Sequence, residues 1–130
     1  MPGPPTGGTA PIPDPAPSPF RRWWSRRVVV HDESMLPTLR PGDRLLVDPR
    51  AYRARSPRVG EIVVVTDPEA SDRWIVKRVA FVHAAEGTID IRGDAADTAR
   101  DSRQFGRVST QVIVGRVYRL YFPPARRRDF

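Results

Sequence analysis

Cysteine is absent from the 130-residue chain, which excludes disulfides and thiolate metal sites. Histidine occurs only as His31 and His83, and the carboxylates are scattered, so a zinc centre of the usual kinds lacks ligands. Neither a metal nor a cofactor is expected. Long apolar runs are also missing: none exceeds the strand-length run over residues 62–65, whereas a spanning helix requires roughly 20 residues. No basic start leads into a continuous apolar stretch, so the N-terminus does not read as a signal peptide. These absences predict a chain without a transmembrane segment, cytoplasmic or peripheral to a membrane.

The most informative scarcity is lysine. Of 22 Lys plus Arg residues, Lys77 is the only lysine and the other 21 are arginine. Genome bias alone can produce such a composition, but arginine cannot give up a proton near neutral pH whereas an amine can. Lys77 is therefore a candidate base. It lies in residues 73–82, a stretch rich in β-branched and aromatic residues that reads as a strand. On a period of two, Lys77 shares a face with Ile75, Val79 and Phe81, while Arg78 falls on the other side. An apolar face disfavours the ammonium and lowers its pKa, and a neutral amine can deprotonate a serine hydroxyl. The competing reading is a snorkelling lysine with its stem on apolar neighbours and its head in water.

What is abundant sets the organisation. Residues 1–20 hold eight of the 15 prolines, three glycines and one charged residue, Asp14. Proline at that density removes backbone donors, so this segment reads as a disordered tail. Residues 21–27 place Trp23 and Trp24 between pairs of arginines, a composition suited to a membrane interface or to covering one end of a domain. Residues 28–122 then run through short strands: 28–30, 44–47, 62–66, the lysine strand, 88–92 and 112–122. Turn residues such as Pro41-Gly42-Asp43 and Asp67-Pro68-Glu69 separate them. No convincing helical period interrupts the succession, so an all-β domain is predicted. Residues 123–130 read as a basic C-terminal tail. The formal net charge is +7 and the pI near 11.1, but the arginines are spread along the chain and no recognition signature accompanies them, so specific nucleic-acid binding is not expected.

Four blocks then come in a telling order: Ser34-Met35-Leu36-Pro37-Thr38-Leu39 followed by Pro41-Gly42-Asp43; Val76-Lys77-Arg78-Val79; Gly93-Asp94; and Asp101-Ser102-Arg103-Gln104-Phe105-Gly106. Together they resemble the type I signal peptidase family across residues 28–108. The resemblance implies a serine endopeptidase with Ser34 as nucleophile and Lys77 as general base, on the coiled β-sheet or open barrel shared with LexA-like repressors. It implies that Met35 plugs the core, that Pro37 fixes the corner carrying Ser34, and that Gly93, Asp94 and Gly106 shape supporting turns. It makes Asp101 and Arg103 a structural pair near the base. By the same resemblance a precursor polypeptide binds extended, adding a strand, and is cut after small residues to release an N-terminal leader. A short chain of this kind looks most like the proteases that mature nickel-type superoxide dismutase.

Three positions depart from the family pattern. Asp32 stands two residues before Ser34, where the family commonly has a hydroxyl or glycine; a carboxylate there repels a developing oxyanion, so it either turns away or leaves the Ser34 N–H to act with another donor. Ala95 stands where asparagine is usual. Ala99 stands where a hydroxyl would contact the lysine amine, with Thr98 adjacent to supply it. His31 precedes Ser34 by three residues on an extended segment, which points its ring away from the serine and disfavours a Ser/His/Asp triad. Two other functions stay open: a binding module with a dead site, favoured by Asp32 and Ala99, and a LexA-like self-cleaving regulator, disfavoured because the chain has no Ala-Gly or Cys-Gly pair.

Overall fold

A computed structural model describes residues 24–95 and 100–130. The proline-rich segment 1–20, Trp23, Thr98 and Ala99 lie outside the described residues. The described chain forms one antiparallel sheet, with almost no helix, as the strand pattern predicts. Its strands are β1 (Arg26–Val29), β2 (Arg44–Asp48), β3 (Ile62–Asp67), β4 (Ala70–His83), β5 (Thr88–Arg92), β6 (Val108–Ser109), β7 (Ile113–Phe122) and β8 (Arg128–Asp129). The order across the sheet is β1-β2-β7-β3-β4-β5-β6, with β8 added on β7. The sheet does not close. A single helical turn, α1 (Ser102–Phe105), follows β5.

The two-residue period explains why β3 carries an unbroken apolar run. Ile62 and Val64 belong to one buried cluster with Met35, Leu39, Leu45 and Leu120. Val63 and Val65 belong to another, with Ile75, Val79, Ile89 and Ile91. Alternate side chains leave opposite faces of a strand, so β3 is central to two cores at once and has no solvent face to encode. Register shifts in β2, β3 and β4 bend and coil the sheet around both.

One such shift corrects the expected face of Phe81. The pairing of β4 with β5 slips between Val79 and Phe81, which breaks the alternation. Ile75 and Val79 stay buried while Phe81 is 53% exposed, its ring stacked under Arg92. The C-terminal segment also differs from a free basic tail. A 3-10 turn at Pro124–Arg126 leads into β8, which pairs with β7, and Phe130 packs against the first core.

Candidate active site

The corner bearing Ser34 is built by the connection from β1 to β2. Val30 closes it from one side, donating its N–H to Asp43 O (2.9 Å) and accepting from Gly42 N–H (2.8 Å), and Gly42 turns the chain with φ +93°, a value side chains resist. Met35 and Leu39, both essentially inaccessible, anchor the loop in the first core, and the Leu36–Pro37 peptide is cis. Two further clamps reach it from distant sequence. Ser34 O accepts from Ala95 N–H at 2.9 Å, and the Thr38 hydroxyl donates to Asp94 at 2.6 Å. Asp94 is itself held by the Arg78 fork (2.9 and 2.8 Å). The Gly93-Asp94 turn thus ties the serine corner to β4, one residue past Lys77.

Ser34 is 8% exposed and Lys77 3% exposed. Both line one cleft of about 440 Å³, together with Asp32, His31, Val28, Trp74 and Arg100. Among the described residues no hydrogen bond joins the Ser34 hydroxyl to the Lys77 amine, and no carboxylate forms an ion pair with Lys77. Burial pushes the Lys77 amine below its ordinary pKa, against the opposing charges of Asp32 and Asp101, with Arg100 adding to the depression and Asp67 opposing it. Lys77 is buried and no described carboxylate touches it, so the two strongest supports for a protonated amine, full hydration and a contacting acid, are both weakened.

The nearby acids are already engaged. Asp101, fully buried, accepts from Gly93 N–H (3.0 Å), Arg103 N–H (3.0 Å) and the Arg103 guanidinium (3.0 and 2.7 Å). Burial alone would raise its pKa; Arg103 and the backbone donors hold it down at about 2. Asp101 also caps α1 in a reciprocal box with Gln104, and Gly106 ends that turn at φ +83°. Asp67, 1% exposed, is held by Arg73 at 2.9 Å and by Arg100.

Sequence reading did not single out Arg100, Asp67 or the Arg78–Asp94 pair. Asp67 stood in an evident turn, but nothing local marks the arginine 33 residues away that reaches it. The Asp32 contact differs from both arrangements weighed for it: its carboxylate accepts the Ser34 N–H at 3.0 Å. His31 is exposed on the cleft wall. Trp24 donates its indole N–H to Asp48 at 3.1 Å and lies under Arg50.

The family model described as "Signal peptidase, peptidase S26" matches residues 20–83, a span containing both Ser34 and Lys77. Mitochondrial ATP-independent inner membrane protease subunit 1b of Arabidopsis thaliana is 32% identical over 111 residues, covering 69% of this chain and 66% of the relative. The chain belongs to the type I signal peptidase family. Membership places it among the proteases. Other relatives in the family include probable signal peptidase I-1 of a Synechocystis species, 25% identical over 139 residues, with 75% of this chain and 71% of the relative covered. Mitochondrial inner membrane protease subunit 2 of Danio rerio is 29% identical over 117 residues, with 75% and 64% covered. The chain thus spans 71% of the length of the Synechocystis relative and just under two thirds of the Arabidopsis and Danio ones. Among the described residues no helix is long and apolar enough to cross a membrane.

Proposed function

We propose that this chain is a serine endopeptidase that removes N-terminal leaders from precursor polypeptides, with Ser34 as nucleophile and Lys77 as general base. The observation that carries the reading is the state of the sole lysine. It is buried, lacks an acid partner among the described residues and shares a cleft with a buried serine on a braced corner. Neutral Lys77 takes the Ser34 proton, Ser34 Oγ attacks the scissile carbonyl, and the amine returns the proton to the leaving nitrogen. Water then attacks the acyl-enzyme ester with the same amine as base and regenerates Ser34. Hydrogen bonds between nucleophile and base are often formed only when substrate is bound, which suits two side chains that line one cavity with no hydrogen bond between them. The precursor lies extended along the cleft wall formed by residues 28–30 and 73–76, with a small residue such as alanine before the cut.

A serine-reactive probe on the full chain tests the site: labelling is expected in the wild type and absent in Ser34→Ala. Lys77→Arg is expected to fold normally and to lose turnover, since a guanidinium cannot act as base near neutral pH. Retained turnover in Lys77→Arg removes Lys77 from the mechanism. The precursor of a nickel-type superoxide dismutase is the substrate to try first; if it stays whole while a generic alanine-ending leader is cut, that narrower assignment falls. Trp23 and Trp24 are assigned to peripheral membrane contact, tested by flotation with anionic vesicles.

A further inference from the structure

Among the described residues the buried carboxylates are each held by arginine: Asp43 by Arg126, Asp67 by Arg73 and Arg100, Asp101 by Arg103. Asp32 is not. It stands exposed on the wall of the cleft shared by Ser34 and Lys77, forms no ion pair among the described residues, and accepts the backbone N–H of Ser34 at 3.0 Å. When a serine Oγ attacks a carbonyl, the nucleophile's own backbone N–H is one of the donors placed to receive the oxygen as it becomes negative. Here that donor is already bonded, and bonded to a carboxylate.

We propose that Asp32 is an internal latch, a positioning residue whose carboxylate occupies the Ser34 N–H and must swing away before a substrate carbonyl can use it. The proposal rests on the reading of Ser34 as nucleophile. A second consequence follows from the same movement. Asp32 is the strongest of the charges that oppose the burial-driven fall in the Lys77 pKa, ahead of Asp101 and Asp67. The other two are fixed by their arginines, and Arg100 acts in the opposite direction. Displacement of Asp32 therefore frees the oxyanion donor and removes the one of these three charges that no arginine holds and that favours the protonated amine. A substrate segment settling in the cleft arms both groups at once, and the empty enzyme is kept slow.

The test compares wild type with Asp32→Gly, Asp32→Ser and Asp32→Asn in the full chain. The readouts are the rate of Ser34 labelling by a serine-reactive probe and the pH profile of cleavage of a short unstructured peptide with alanine before the cut. Asp32→Gly and Asp32→Ser are expected to react about tenfold faster, the loss of one charged hydrogen bond, and their ascending pH limb should move to lower pH. Asp32→Asn keeps an acceptor for the N–H but no charge, so its limb should move with a smaller gain in rate. Thermal unfolding checks that each variant folds. If wild type is labelled and the folded variants are no faster, the latch is overturned while Ser34 remains the nucleophile. If no form is labelled, the nucleophile assignment and the latch fall together.

Discussion

At the scale of single residues, Lys77 opposes stability. Its amine is buried and its pKa depressed, chiefly by desolvation, so the folded chain releases that proton at a pH where the unfolded chain still holds it. Between the depressed value and the ordinary one of about 10.4, the unfolded state binds more protons, and stability rises with pH. Below the depressed value the native state must bury a charge and the full cost applies. Lys77→Met keeps the apolar stem and removes the amine. It is expected to raise stability by about 1–2 kcal/mol, roughly 3–8 °C in Tm, while turnover is lost. The gain should be greatest in acid and shrink as pH climbs through the alkaline range. Thermal melts from pH 5 to 10 check the sign; a variant less stable than wild type throughout would mean that the amine is solvated.

At the scale of elements, the middle of the sheet depends on one close approach. Gly115 in β7 lies beside the end of β2, where an added Cβ would stand 2.5 Å from the Asp48 carbonyl oxygen and 2.8 Å from a Val47 methyl. Backbone cannot yield as a flexible side chain can. Gly115→Ala is expected to cost about 1–3 kcal/mol by overpacking, read as a lower midpoint in urea; an unchanged midpoint would show that β2 and β7 can separate locally. Gly115 also shows where sequence reading stops. The strands were legible because β-branched runs and turn residues are local signals; Lys77 stood out as the sole lysine on an apolar face, and Ser34 only through the block that resembles the family. Phe81 was misplaced because a slip in pairing with β5 is a property of two strands, and one strand's periodicity does not contain it. The closeness that demands glycine at 115 likewise belongs to a pair of elements.

At the scale of the whole molecule, the arginines divide into clamps and surface, and composition could register only their sum. The clearest clamp comes from the segment expected to be a basic tail. Arg126 donates to both oxygens of Asp43 (2.9 and 2.8 Å) and to Thr38 O at 3.3 Å, spanning 83 residues to reach the former. Asp43 is 2% exposed and also accepts Arg40 N–H at 2.8 Å, so the C-terminal turn braces the loop that carries Ser34, in addition to Asp94. Arg126→Ala leaves a buried carboxylate without its counter-charge and frees the carbonyl of Thr38. The expected cost is about 2–3 kcal/mol of stability. Under the Ser34 reading, a looser corner should also slow Ser34 labelling, since small displacements of a reacting group are costly. Arg126→Lys should recover the charge but not the two-pronged geometry, and so restore stability more than reactivity. Equal recovery of both would reduce Arg126 to a counter-ion; no loss of either in Arg126→Ala would detach the C-terminal segment from the site.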